Sequence, residues 1–287
     1  MHRFIRALPA ILAFACSAGT PPGPLGPGDP DPPSAPLEGD VLFIGNSLTE
    51  SNDLPGIVKV LAESAGTPGL RTAAILAGGA ALEDHWRSTL TLETIAQGNW
   101  RYVVLQQGPS SLPESRANLR QWTARFAERI RAAGGEPALY TVWPEESRFE
   151  LFDDVIESYR LAAEDVGGVE LPVGAAWLRA WDLDPAVQLY GPDRFHPSLE
   201  GSYLAALVIY GGLSGRSPFG LPASFRLPSG LVRHIPAATA AILQQAAEQA
   251  LAARSAPLSQ RLRYWAPAPA VAGNAGASGS DRTWGRS

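Results

Sequence analysis

The chain has 287 residues, of which 45% are hydrophobic, and this suffices for a full core in one large domain or two small ones. The formal net charge is -5, and the 23 Lys and Arg residues are scattered, with Lys59 as the only lysine. This pattern argues against a nucleic acid partner, because no basic stripe is present to neutralise phosphates. Lys59 also follows no glycine loop, which excludes a phosphate-binding loop.

Residues 1–16 have the pattern of an export signal. Basic Arg3 and Arg6 precede an apolar run over residues 7–15, and small residues follow around Cys16. Cys16 is the only cysteine and stands where a lipoprotein signal places its acylated residue, although the bulky Phe14 fits that pattern poorly. Membrane attachment through a lipidated Cys16 and simple secretion both stay open. Either outcome predicts an extracytoplasmic protein, and its fold must hold without a disulfide.

Composition divides the rest of the chain into a linker, a domain and a tail. Residues 17–39 are dominated by proline and glycine and predict an extended linker. Residues 266–287 contain few large apolar groups and predict a disordered tail. The folded domain is therefore expected over residues 40–265.

Inside the domain, short apolar runs alternate with amphipathic helical patterns. The predicted strands lie at residues 41–44, 72–79, 102–108, 138–143 and 169–174, and the predicted helices cover residues 54–61, 119–130 and 152–159. Asn52 or Asp53 is available as the cap of the first helix, and Gly66 as its stop. Strands alternating with helices predict an α/β fold with a parallel sheet covered on both faces. Ligands of such sheets bind outside the carboxyl ends of the strands.

One serine and one histidine form the strongest chemical signal. Ser47 follows the first strand, and a serine hydroxyl needs a base before it can act as a nucleophile. His196 can supply that base, because Asp193 lies three residues earlier and can fix the tautomer of its imidazole. The nucleophile elbow of α/β-hydrolases is excluded, because Thr49 replaces its second glycine.

These motifs resemble the SGNH/GDSL hydrolases, which are esterases with a flavodoxin-like, three-layer α/β/α fold. Residues 45–47, Gly-Asn-Ser, are similar to the first block of that family, with Asn46 in place of the more usual aspartate. Residues 77–82 look like the second block, whose glycine amide helps to bind the oxyanion. The resemblance assigns this role to Gly79, or to Gly78 with a shift of one residue. Residues 193–197 match the last block, which supplies Asp193 and His196.

The third block departs from the family pattern of Gly-x-Asn-Asp. Here the chain reads Gly108-Pro109-Ser110-Ser111, so the asparagine that would donate its amide to the oxyanion is missing. Loss of one such donor typically costs about 10² to 10³ in turnover. Gln107 is the substitute by chemistry and Ser110 is the substitute by alignment, and we expect Gln107 in that role.

Other residues near these motifs have two interpretations each. His85 could line the pocket or lie on the surface at the start of a helix. Trp86 and Trp143 could form a stacking wall for a sugar ring or pack in the core. Trp177 and the following Trp181 favour a helix face against the core. Asp182 and Asp184 carry no metal prediction, because the chain has one cysteine and no paired histidines.

The sequence therefore predicts an exported serine esterase that needs no cofactor. It would remove an acyl group, with acetyl favoured, from a small or carbohydrate substrate by a Ser-His-Asp mechanism. A lipase or thioesterase on the same scaffold is the alternative enzyme. A surface protein that binds glycans without catalysis is the alternative from another class, because the third-block asparagine is missing.

Overall fold

The computed structural model describes residues 39–255. The predicted export signal, most of the predicted linker and the predicted tail lie outside the described residues, and so does Cys16. The first element begins at Asp40, where the domain was predicted to start.

Five parallel strands form the central sheet. They are β1 (Asp40–Gly45), β2 (Thr72–Leu76), β3 (Trp100–Leu105), β4 (Glu136–Tyr140) and β5 (Val169–Leu171). Their order across the sheet is β2-β1-β3-β4-β5, which is the flavodoxin-like arrangement. Val41 to Ile44 of β1 are fully buried because β1 has a strand on each side and helices on both faces. The predicted parallel α/β sheet is thus confirmed.

Helices cover the sheet in two groups, so the domain has three layers. The helices are α1 (Ser47–Glu50), α2 (Leu54–Ser64), α3 (Leu82–Trp86), α4 (Thr89–Gln97), α5 (Pro113–Ala132), α6 (Phe152–Asp165), α7 (Val173–Leu183), α8 (Leu199–Ser214) and α9 (Ala237–Ser255). Helices α7, α8 and α9 contact one another and α2 packs on α8, whereas α3, α4, α5 and α6 form the other group. Short 3₁₀ segments cover Ser51–Asp53 and Glu146–Leu151, and a hairpin pairs β6 (Ser224–Arg226) with β7 (Val232–His234).

The ends of two elements bear on the site. Helix α2 is capped by Asp53, one of the two predicted caps, whose carboxylate accepts from the amide of Gly56 at 3.1 Å. Strand β4 ends at Tyr140, short of the predicted residue 143, so Trp143 lies in the loop beyond the strand. Within residues 39–255, no helix is both long enough and apolar enough to span a bilayer.

Candidate active site

The carboxyl ends of β1 and β3 meet at the point where the sheet order reverses, and Ser47 lies there. Gly45 ends β1, Asn46 caps α1 through a 3.1 Å bond from the Leu48 amide to its Oδ1, and Ser47 is the first residue of the helix. Gly45 is required because a Cβ at this position would lie 2.5 Å from Oε1 of Gln106. A tight turn between β1 and α1 therefore holds Ser47 at this edge of the sheet.

His196 and Asp193 reach the same edge from the loop before α8. Ser47 Oγ lies 2.9 Å from Nε2 of His196, and Nδ1 of His196 lies 2.5 Å from Oδ2 of Asp193. The other carboxylate oxygen, Oδ1, accepts from the amides of Phe195 at 3.1 Å and His196 at 2.9 Å. The structure thus brings together the three residues that the motifs singled out, in one chain of hydrogen bonds.

The hydrogen bonds around Asp193 favour its ionised carboxylate. The hydrogen bond from His196 and the amides of Phe195 and His196 lower the pKa of Asp193 below its ordinary value. An ionised Asp193 accepts from Nδ1–H, which leaves Nε2 of His196 as the acceptor that faces Ser47. In this tautomer the imidazole can take the proton of the serine hydroxyl.

Contacts with neighbouring elements anchor the loop over residues 191–198, which contains one strained residue. Trp143 donates its indole N–H to the carbonyl of Phe195 at 2.9 Å, and the Arg194 guanidinium pairs with Glu146 at 2.8 Å. Arg194 has φ of +63°, a left-handed conformation that costs a non-glycine residue about 1–2 kcal/mol. These contacts hold the turn that places the carboxylate of Asp193 beside the imidazole.

A turn over residues 77–80 places Gly79 at the rim of the site. The Ala80 amide donates to the Ala77 carbonyl at 3.0 Å, and Gly79 has φ of +71°, which glycine adopts without strain. Gly79 is exposed, and its amide has no hydrogen-bond partner within residues 39–255. Asn46 Nδ2 donates to the Ala80 carbonyl at 3.0 Å, which ties this turn to the serine turn. Gly78 is exposed as well.

The residues offered in place of the missing third-block asparagine are bonded to each other. Gln107 is 4% exposed, its Oε1 accepts from the Leu82 amide at 3.1 Å, and its Nε2 donates to Ser110 Oγ at 3.0 Å. The Ser110 hydroxyl in turn donates to the carbonyl of Gly108 at 3.1 Å. The Ser110 proton is therefore already used, whereas Nε2 of Gln107 carries a second hydrogen.

Sequence reasoning missed Gln106, which lies beneath the nucleophile. Its Oε1 accepts from the Asn46 amide at 2.9 Å and from Thr49 Oγ1 at 2.7 Å. Its Nε2 donates to Asn46 Oδ1 at 3.0 Å and to the Gln107 carbonyl at 2.6 Å. The period-2 alternation of strand side chains was the available signal, because it directs Gln106 and Gln107 to opposite sides.

His85 is buried, so the expectation of a surface residue at the start of a helix is wrong. It is 3% exposed, and its Nε2 lies 2.8 Å from the carbonyl of Gly45, to which it must donate. Burial lowers its pKa, so the ring is neutral. His85 therefore stabilises the carboxyl end of β1 through this hydrogen bond.

The aromatic residues form core contacts and not a wall for a sugar. Trp143 is fully buried and stacks on Trp177, with ring centroids 3.7 Å apart and planes at 10°. Trp86 packs edge-on against Phe126 at 5.2 Å. Trp181 lies on the same face of α7 as Trp177 and contacts it at 5.7 Å, as a helix face predicts. Among the described residues, no three His, Cys, Asp or Glu side chains cluster closely enough to hold a metal ion.

Comparison with known proteins identifies the fold. No family model matches the sequence, and no curated protein matches it either. Solved structures do match. A candidate SGNH hydrolase from Slackia heliotrinireducens is 29% identical with a TM-score of 0.53, over 61% of this chain and 98% of the other. A DUF4886 family protein from Bacteroides uniformis is 19% identical with a TM-score of 0.59, over 77% and 98% of the two chains.

A third match is a lipase/acylhydrolase from Enterococcus faecalis, 15% identical with a TM-score of 0.50, over 62% of this chain and 97% of the other. The chain thus has the three-layer fold of the SGNH/GDSL hydrolases, as its motifs predicted. The neighbour at 29% identity is named as an SGNH hydrolase, which supports hydrolase activity, whereas the two less similar neighbours show the fold alone.

Proposed function

We propose that this chain is a serine ester hydrolase in which Ser47 is the nucleophile, His196 the general base and acid, and Asp193 the group that orients the imidazole. The observation that carries the proposal is the 2.9 Å contact between Ser47 Oγ and His196 Nε2, continued to Asp193 at 2.5 Å. Nucleophile, base and orienting acid in this order are the arrangement that activates a serine.

The reaction proceeds in two acyl transfers. Ser47 Oγ attacks the ester carbonyl while His196 Nε2 takes its proton, and the imidazolium then gives this proton to the departing alcohol. A water molecule attacks the acyl-enzyme with His196 again as base, which releases the carboxylic acid and restores the serine. Asp193 stabilises the imidazolium in both halves, because its carboxylate is ionised.

The oxyanion would be held chiefly by backbone amides. The amide of Ser47 stands at the start of α1, and the amide of Gly79, which has no hydrogen-bond partner among residues 39–255, would be the second donor. Gln107 can add a third donor through its second Nε2 hydrogen, whereas Ser110 serves to hold Gln107. Two backbone donors suffice for catalysis, at a lower rate than three.

We infer a short acyl group from a cavity that borders the catalytic loop at Phe195. It has a volume of about 380 Å³ and is bounded by Phe195, Pro144 and Leu151, but also by Glu145 and Arg148. A long acyl chain needs a mostly apolar channel, and two charged side chains in so small a cavity oppose it. An acetyl ester is the substrate that we infer, with the small or carbohydrate alcohol part that the sequence predicts.

Export belongs to the same proposal, because the sequence pattern of residues 1–16 is that of a signal. If Cys16 is acylated, the protein produced in a bacterial host should partition into the membrane fraction, and Cys16→Ala should release it. If Cys16→Ala and the wild type partition equally between the membrane and soluble fractions, Cys16 is not a lipid anchor, and secretion without lipid attachment remains.

The function is tested with a fluorophosphonate probe and a series of esters. The wild-type chain should be labelled and should hydrolyse nitrophenyl acetate faster than the octanoate, and acetylated oligosaccharides should release acetate. Ser47→Ala should lose both properties. Ser64→Ala is the matched control, because Ser64 is exposed at the far end of α2 and its hydroxyl bonds only the Leu61 carbonyl among the described residues.

A folded wild-type chain that is neither labelled nor active on any ester would overturn the proposal. Affinity for a glycan under those conditions would identify a binding protein instead. Faster turnover of octanoate than acetate would replace the acetylesterase with a lipase or thioesterase.

A further inference from the structure

The side chain of Asn52 joins the segment that carries the nucleophile to the segment that carries the base. Asn52 Nδ2 donates to the carbonyls of Pro197 at 3.1 Å and Ser198 at 3.0 Å, and to Ser202 Oγ at 2.9 Å. We infer that Asn52 is a positioning residue that sets the distance between Ser47 and His196. This inference rests on the proposed function, because it assigns Asn52 a part in that reaction.

The path from Asn52 to each reacting residue is short. On one side, Ser51 Oγ donates to the Ser47 carbonyl at 2.7 Å, so the turn that precedes Asn52 is closed onto Ser47. On the other side, Pro197 directly follows His196. A shift of the Asn52 amide therefore reaches the imidazole and the hydroxyl with little chain in between to absorb it.

The backbone conformation explains why asparagine occupies this position. Asn52 has φ of 58° and ψ of 15°, in the left-handed region that asparagine, aspartate and glycine tolerate best. Of these three, only asparagine carries a side-chain amide, whose two hydrogens can donate to the three surrounding oxygens when one hydrogen is shared between two of them. The strained turn and the hydrogen bonds are thus satisfied together by one residue type.

The loop that carries His196 has little packed behind it on one side. A groove of about 880 Å³ is bounded by Asn52, by Gly191, Pro192 and Arg194 of the loop, and by Trp181 beyond it. Packed side chains cannot fix the loop across this groove, so its position depends on polar anchors. Trp143 anchors Phe195 to the β4 side of the sheet.

Asn52 supplies the anchor on the β1 side. In the part of the chain that the structure describes, the side-chain hydrogen bonds between residues 47–53 and residues 193–198 are those of Asn52 and of the Ser47–His196 pair itself. The bonds of Asn52 therefore hold the two segments in register when His196 is not bonded to Ser47, for example while the serine is acylated.

The fold provides a matched control at the opposite end of the same two helices. Asn52 precedes α2 and bonds the start of α8, whereas Arg216 follows α8 and donates to the carbonyl of Ala65, just after α2, at 2.7 Å. Both side chains tie α2 to α8, but only Asn52 lies beside the reacting groups. Loss of either contact should lower stability, and only loss of the first should alter the chemistry.

The experiment compares Asn52→Gly, Asn52→Asp and Arg216→Ala with the wild type. Each is measured for kcat and KM on nitrophenyl acetate, for the second-order rate of fluorophosphonate labelling, and for its thermal unfolding midpoint. Asn52→Gly keeps the left-handed turn and removes the amide. We expect its kcat and labelling rate to fall roughly 10- to 100-fold with KM unchanged, since small misplacements of reacting groups have effects of this size.

Asn52→Asp should lose at least as much, because a carboxylate would face the two carbonyl oxygens. Arg216→Ala should keep kcat within about twofold while its unfolding midpoint falls, as a contact remote from the reacting groups allows. Wild-type kcat and labelling in a folded Asn52→Gly would overturn the inference, and so would an equal loss of kcat in Arg216→Ala.

The outcome for Asn52 can be separated from that of the proposed function. If the wild type is itself inactive and unlabelled, the proposed function fails, and the Nδ1 proton resonance of His196 decides the role of Asn52. Broadening of this resonance by exchange in Asn52→Gly, but not in Arg216→Ala, would support positioning. An unchanged resonance in Asn52→Gly would overturn it.

Discussion

Replacement of Gln106 by leucine tests how far the nucleophile depends on the buried amide beneath it. The Gln106 side chain is 1% exposed and bonds four groups, namely the Asn46 amide, Asn46 Oδ1, Thr49 Oγ1 and the Gln107 carbonyl. Leucine fills a similar volume but can neither donate nor accept. The substitution therefore removes hydrogen bonds without creating a large cavity.

The expected loss follows from which of the four groups keep another partner. Asn46 Oδ1 still accepts from the Leu48 amide, and the Gln107 carbonyl still accepts from the Tyr159 hydroxyl. The Asn46 amide and the Thr49 hydroxyl have no second partner within residues 39–255. A buried polar group left unpaired costs about 1–3 kcal/mol, so the two together predict a loss of about 2–6 kcal/mol in the free energy of unfolding.

The assay is urea unfolding of Gln106→Leu, with Gln121→Leu as the control. Gln121 is exposed on α5, and its replacement should change stability by no more than about 0.5 kcal/mol. Fluorophosphonate labelling of Gln106→Leu should also slow under conditions in which the variant is folded, because the cap of the serine turn is loosened. A loss below about 1 kcal/mol with an unchanged labelling rate would refute the reasoning.

Three further predictions concern groups around the same site. Asp193→Asn should lower kcat by about 10² to 10⁴, because an amide favours the wrong tautomer of the imidazole, and steady-state kinetics on nitrophenyl acetate measures this. Gln107→Ala should lower kcat by about 10² to 10³ if its second Nε2 hydrogen reaches the oxyanion. An equal loss of kcat in Ser110→Ala would show that Gln107 supports the site and does not donate to the oxyanion. Because burial lowers the pKa of His85, the unfolded chain binds more protons than the folded one as the pH falls through about 6.5, so stability should decline there. Urea titrations between pH 5 and pH 8 should give a flatter profile for His85→Gln, and equal slopes would contradict a buried neutral imidazole.

The sequence was sufficient for the sheet because hydrophobic patterning and chain order carry that information locally. The run from Val41 to Ile44 is apolar without alternation, which is what a strand covered on both faces requires. Parallel strands end at one edge, so residues that follow different strands, such as Ser47 and Gly79, were expected to meet. The predicted ends of the elements were less accurate, because the last residues of strands and helices depend on contacts with residues distant in the chain.

Polar residues near the motifs were harder to interpret from the sequence, because their burial depends on partners distant in the chain. The sequence left His85 between the pocket and the surface, and the structure buries its ring against the carbonyl of Gly45. It left Trp143 between a wall of the pocket and the core, and the stacked Trp177 decides for the core. In each case the deciding contact comes from another element, and no local pattern specifies it.

The two departures from the SGNH motifs, Asn46 and the missing third-block asparagine, are connected in the structure. An aspartate at position 46 would direct carboxylate oxygens at the Ala80 carbonyl, whereas Asn46 Nδ2 donates to it at 3.0 Å. Asn46 Oδ1 then accepts from Gln106, and Gln106 donates onward to the carbonyl of Gln107. The side-chain amides of Asn46 and Gln106 thus form a continuous series of hydrogen bonds from the turn that carries Gly79 to Gln107, just after β3. A lone change of Asn46 to aspartate should therefore weaken the site, because the donor to Ala80 would be lost and its carbonyl would face a charge.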